Sequence, residues 1–163
     1  EGLHAASATI SACIAFRYQF MEGKTEAELK KTLNGYVDPS KRARMTENVL
    51  QGVDSSFFRP AIKRIAKMLD DMQASLADGP WLIGDTYSLA DVALTPYVTR
   101  VSHLQQDWLF DARPRVADWY DRILARPAYK IALEDWFNPD FLSLMEARGG
   151  KNRDGVKAVL GSE

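Results

Sequence analysis

The sequence predicts an all-α bundle of about five to seven helices, and three observations carry that expectation. Capping signals recur along the chain, apolar residues fall at alternating steps of three and four, and no stretch alternates apolar and polar residues over strand length with β-branched enrichment. A chain of 163 residues with 46% hydrophobic content is long enough for one sizeable core and hardly long enough for two, so one globular domain is expected.

The first helix is expected from about Leu3 to Met21, an Ala-rich run closed by Glu22-Gly23. Thr25 and Glu28 then form a Thr-x-x-Glu capping box, in which each side chain satisfies the other end's orphan backbone N–H, and Asn34-Gly35 supplies the stop. A third helix runs from Ser40 to Gln51 and ends at Gly52; a fourth runs from near Ser55 to Leu76. In the fourth, Ile62, Ile65, Leu69, Met72 and Leu76 line one face. Asp78-Gly79-Pro80 ends that helix and Ser88 starts the next, as an N-cap with Asp91 at N3. The Asp91 carboxylate reaches back to the Ser88 N–H and meets the positive end of the helix dipole. Tyr87 at N′ and Val92 at N4 complete a hydrophobic staple, and the helix they start is expected to be the central buried one. Pro96 inside it forfeits a hydrogen bond to the Val92 carbonyl and is expected to kink it. Pro114 and Pro127 stand where two late helices begin, since a missing N–H is harmless there. After Asn138 the chain keeps some helical potential through Phe141, Leu142 and Met145, then reaches Gly149-Gly150 and polar residues. Residues 1–137 are therefore expected as the helical domain and 138–163 as a tail, either a lid or a disordered end.

Charge and composition narrow the function classes. With 21 basic against 22 acidic side chains, nothing calls for a nucleic-acid or anionic-membrane partner. The apolar run around Ile10 to Phe16 is far short of the roughly 20 residues that cross a bilayer. Cys13 is the only cysteine and no secretion signal stands at the start, which fits a reducing cytoplasm. Cys13 sits among apolar neighbours and is expected to be inert. His4 and His103 have no ligand-type spacing, so no metal site is expected. The aromatic set Trp108, Phe110, Trp119, Tyr120, Tyr129, Trp136 and Phe137 reads as core and packing surface, because the clustered Lys and Arg of a base-stacking platform are missing. The Ser88 and Asp91 pair reads as a folding device, with both side chains employed by the cap and no histidine nearby in sequence.

Trp81-Leu82-x-Gly84-Asp85-x-x-Ser88-x-Ala90-Asp91 resembles the helical C-terminal domain of bacterial-type glutathione S-transferases, and Arg113-Pro114 to Tyr129 is similar to the two late helices of that domain. The resemblance covers about residues 3–136. It implies a glutathione transferase C-terminal domain that receives a small hydrophobic electrophile, works as a homodimer, and needs no cofactor beyond glutathione as co-substrate. In that family glutathione and the catalytic Tyr, Ser or Cys belong to an N-terminal thioredoxin-like domain. The sequence has no β-α-β opening, no Cys-x-x-Cys, no Val-Pro pair and no Glu-Ser dipeptide to match it, so no catalytic residue is assigned and the chain alone is expected to be inactive. Two readings stand: a fragment of a two-domain transferase, favoured by a start at Glu1 without methionine, or a stand-alone non-catalytic interaction domain.

Under the transferase reading the electrophile wall has candidates. His4, Ser7, Ser11 and Tyr18 fall at i, i+3, i+7 and i+14 of the first helix, forming one polar stripe, and Tyr97 and His103 on the Ser88 helix are candidates to approach the same wall. The competing reading is that small Ser and Ala side chains let two helices approach closely, and that Tyr97 belongs to the core.

Overall fold

The computed structural model describes residues 2–161, and among them every regular element is helical; the one β-bridge, Trp81 to Gly84, stands alone. The first rod combines α1 (Leu3–Ser11), a π-helical turn (Ala12–Phe16) and α2 (Arg17–Met21). Then come α3 (Glu26–Asn34), α4 (Pro39–Gln51), α5 (Phe58–Ser75), α6 (Leu89–His103), α7 (Pro114–Leu124), α8 (Pro127–Ala132) and α9 (Pro139–Gly161). Short 3-10 turns at Gly52–Asp54, Asp107–Phe110 and Glu134–Trp136 link them.

Local chemistry explains the boundaries. The Thr25–Glu28 box closes on α3, with the Thr25 N–H donating to Glu28 Oε2 at 2.8 Å. Helix α4 starts slightly earlier than its sequence pattern suggests, because its cap is Asp38: the Oδ1 atom accepts from the N–H groups of Ser40 at 2.8 Å and Lys41 at 3.1 Å, with Pro39 pre-set at N1. Gly52 ends α4 at a φ of 63°, and a Cβ there would lie 1.7 Å from Arg17 Nη1. The same side chain donates through Nη2 to the Leu50 carbonyl at 2.8 Å and so fastens the end of α4 to the first rod.

Packing follows from the apolar faces. Helix α5 turns Phe58, Ala61, Ile62, Ile65, Met68, Leu69 and Met72 inward, mostly against α1. Val98, Val101 and Leu104 at α6 and Val116, Trp119 and Ile123 of α7 join the same core. Cys13 sits fully buried there, and burial pushes its thiol up to about 12, which leaves it unreactive. A satellite core of Leu29, Leu33 and Val49 lies under α3 and α4. Pro96 sits inside α6 without ending it.

Two expectations are corrected. The first rod is not one α-helix: the π turn adds a residue to its winding, which rotates everything after Phe16 by about 100° relative to a 3.6-residue count. Tyr18 therefore leaves the face shared by His4, Ser7 and Ser11. The stretch 138–163, expected as a tail, is helix α9 as far as Gly161, and it is part of the bundle. Met145 and Val156 are in the main core, and Asn152 Nδ2 donates to the Ile14 carbonyl at 3.2 Å. Gly149 reads as a helix breaker and acts as a contact: a Cβ there would come within 2.0 Å of the Leu104 carbonyl oxygen.

The adjacent glycines of α9 separate these roles. Gly149→Ala should destabilise by about 1–3 kcal/mol through overpacking. Gly150, where an added Cβ would meet nothing within 4 Å, should gain up to about 1 kcal/mol as alanine through helix propensity. Urea unfolding of the two variants checks this; equal midpoints would refute the close contact.

Candidate functional site

The loop of residues 76–88 and the start of α6 are held by one carboxylate. Asp91 is fully buried. Its Oδ1 accepts from the Leu82 N–H at 3.0 Å and the Trp119 Nε1–H at 2.8 Å. Its Oδ2 accepts from the Ser88 N–H at 2.8 Å and the Ser88 hydroxyl at 3.1 Å, while that hydroxyl accepts from the Ala90 N–H at 3.2 Å. Burial alone raises the Asp91 pKa, but the donors of Leu82, Trp119 and Ser88 together outweigh it and hold the carboxyl below its ordinary value. Asp91 is an ionised acceptor with both oxygens committed, which suits it to structure rather than proton transfer.

Pro96 of α6 stands between two cavities. On one side Tyr87, Val92, Ile123, Arg126, Ala128 and Tyr129 surround about 350 Å³. Tyr87 packs edge-on to Trp81 at 5.1 Å, with the Arg126 guanidinium 3.5 Å over its ring, so the Tyr87 side of the staple is anchored by these two. Val92, the other staple residue, is 48% exposed. On the other side a cavity of about 370 Å³ runs along Pro96, Thr99, Arg100 and His103, one face of α6 at helical spacing, and is closed by Trp136, Phe137, Phe141 and Met145. The His103 ring meets Phe137 edge-on at 4.7 Å. Burial, then the charge of Arg100, hold the His103 imidazole below its ordinary pKa, with Asp107 pulling weakly the other way. Trp136, expected among the aromatic packing set, is 81% exposed at the rim.

The residues singled out in the sequence are dispersed. His4 is exposed and Ser7 half-buried, while Ser11 is buried and donates its hydroxyl to the Ser7 carbonyl at 2.7 Å. Tyr18 stacks under the Arg148 guanidinium at 3.9 Å. Tyr97 is half-buried and packs against the main core. None of these five lines either cavity beside Pro96, whereas His103, named with Tyr97 as a wall residue, lines the one along α6. The cavity residue that sequence reasoning missed is Arg100: in the last turn of α6 it reads as an ordinary cation complementing the helix dipole. Among the described residues no group of His, Cys, Asp and Glu is arranged to hold a metal, and no helix is long and apolar enough to cross a membrane.

Comparison with known proteins bears on these features directly. The family model described as "Glutathione S-transferase, C-terminal domain" matches residues 26–122, which contain Asp91, its donors and the α6 side of both cavities. A glutathione S-transferase of Hyoscyamus muticus is 38% identical over 72 residues, 44% of this chain and 34% of that protein. A tetrachloro-p-hydroquinone reductive dehalogenase of Sphingobium chlorophenolicum is 34% identical over 68 residues, 42% of this chain and 27% of its own length. Glutathione S-transferase TCHQD of Arabidopsis thaliana is 27% identical over 113 residues, 69% of this chain and 42% of its own length. The matched part of this chain thus spans about a third of the length of the first of these relatives. No solved structure matches the chain.

Three substitutions test the geometry. Asp91→Asn should cost about 3 kcal/mol or more at neutral pH, because a charged acceptor of four hydrogen bonds is replaced by one that clashes with donors; Ser88→Ala should cost about 1 kcal/mol. Because the folded-state carboxyl lies below its unfolded value, its contribution is complete above the unfolded pKa of about 3.9 and is lost as pH falls through the folded one. The gap between wild type and Asp91→Asn should accordingly narrow in acid, as read by chemical denaturation at a series of pH values. Ser11→Phe should cost about 1–3 kcal/mol in thermal melts, since the buried site has no room for a ring; an unchanged melting temperature would return Ser11 to an open cleft.

Proposed function

The chain belongs to the glutathione S-transferase C-terminal domain family, and from that premise we propose that it is the electrophile-binding half of a glutathione transferase. The observation that carries this reading is the pair of cavities flanking Pro96 on α6, the helix set in place by Asp91 inside the region the family model matches. The cavity of Thr99, His103, Trp136 and Phe137 offers aromatic walls to a small hydrophobic electrophile. In the reaction the glutathione thiolate sulfur forms a C–S bond at an electrophilic carbon, and a halide or aryl oxide departs with the electron pair. Activating the thiolate is assigned to a thioredoxin-like domain outside the described residues.

The second cavity supports a docked neighbour. Its lining is largely apolar and includes Val92, 48% exposed, an open apolar surface of the kind that is covered in a larger assembly. We take its occupant to be the thioredoxin-like domain; the alternative, that the same patch binds an unrelated protein and the chain is a non-catalytic interaction domain, makes the opposite prediction for catalysis. The reading extends to a homodimer in the cytoplasm, where the buried Cys13 has no disulfide to form.

Under this assignment the 163-residue chain should pass through immobilised glutathione without retention and conjugate no chlorodinitrobenzene. An uncharged nitroaryl ligand should nevertheless quench its tryptophan fluorescence, and Trp136→Phe should remove most of that quenching. Retention on the resin, competed off by free glutathione, would overturn the location of the thiol site; absence of quenching would overturn the electrophile wall.

A further inference from the structure

Arg100 lines the cavity along α6 half-buried, and among the described residues its guanidinium donates to no oxygen. Its hydrogen bond is from Nη1 to the Met145 sulfur at 2.8 Å, a weak acceptor, and its other attraction is to the Phe16 ring, whose centroid is 5.8 Å away. Two arginines of the bundle show the contrast: Arg113 pairs with Asp70 and the Leu109 carbonyl, and Arg153 donates twice to the Gln105 carbonyl. No ion pair among the described residues reaches Arg100. Its remaining N–H groups keep contact with solvent, so a ligand oxygen entering the cavity can take the place of water on the fork.

The surroundings specify what completes it. One turn along α6, His103 is kept from adding a second charge, so the cavity holds one cation. Trp136, Phe137 and Phe141 make its opposite side flat and aromatic. We propose that this cavity selects planar aromatic molecules that carry one acidic group, the ring lying against Trp136 and Phe137 and the carboxylate or its equivalent accepting from the Arg100 guanidinium. A bidentate acceptor matches the fork, and the slot beside it matches an aryl body. The assignment deepens the electrophile-binding reading, on which it rests for the biological role of the ligand: the preferred electrophiles are aromatic acids rather than neutral aromatics.

Naphthoate and naphthamide, equal in shape and different in charge, are the probes. Titrated calorimetrically into the 163-residue chain, naphthoate should bind about tenfold or more tightly than naphthamide, the scale of a charge-assisted hydrogen-bond pair. Arg100→Gln should erase that preference, naphthoate falling to the affinity of naphthamide. His103→Glu, which places an internal carboxylate beside Arg100, should abolish the preference by occupying the guanidinium, and this variant decides the matter if Arg100→Gln fails to fold. Equal binding of the two probes by the wild-type chain, no binding of either, or a preference that survives either substitution would overturn the proposal. Failure of the electrophile-binding reading itself appears elsewhere, as absence of tryptophan quenching by the uncharged nitroaryl ligand, which needs no charge on Arg100.

Discussion

The bundle depends on how one carboxylate is desolvated. Asp91 has left water entirely, and the loss is made good because three segments bring it donors: the helix start at Ser88, the preceding loop at Leu82 and, from farther along the chain, the indole of Trp119 on α7. A buried charge so fully partnered tolerates little displacement, because every shift strands a donor or the anion itself. The angle at which α6 leaves its cap is thereby set from two sides. Because Pro96, Thr99, Arg100 and His103 ride on α6, the cavity inherits its geometry from an interaction that never touches a ligand.

Arg100 and Asp91 show opposite solutions on one helix. The anion near the N-terminus is satisfied internally and has no remaining capacity, while the cation in the last turn is left with a sulfur and a ring. Polar groups spent on the fold and polar groups held in reserve are distinguished here by their partners and not by residue type. The apolar cavity beside Val92 makes the same point for surface area, since Val92 stays 48% exposed at its lining.

Much of the fold is legible in the sequence because local chemistry and tertiary structure agree. The Thr25–Glu28 and Ser88–Asp91 boxes, the prolines at the starts of α7 and α8, and the apolar face of α5 all write their role into short spacings. Three features escape because they are decided at long range. The π turn is invisible in composition, yet it turns Tyr18 away from Ser11. Gly149-Gly150 carries a breaker signature, yet Gly149 is small because the Leu104 carbonyl lies against it. The cavity is the least legible part: Pro96 to His103 and Trp136 to Phe141 meet only after the chain between them has folded back, so no spacing pairs Arg100 with the aromatic wall. The stripe of His4, Ser7 and Ser11 has the spacing of a surface for ligand, whereas Ser11 turns its hydroxyl to its own backbone.

The amide of Asn152 reaches the carbonyl of Ile14, 138 positions earlier in the chain. During synthesis the first rod emerges long before the helix that covers its π turn has been made, and the ribosome still shields α9 when the rest of the bundle is free to collapse. Completion of the core at Met145, Gly149 and Val156 must therefore wait until α9 has cleared the exit tunnel. Until then the nascent protein carries an uncovered apolar groove along Ile14 and Leu104, which makes the interval before α9 emerges the one in which it most needs a chaperone.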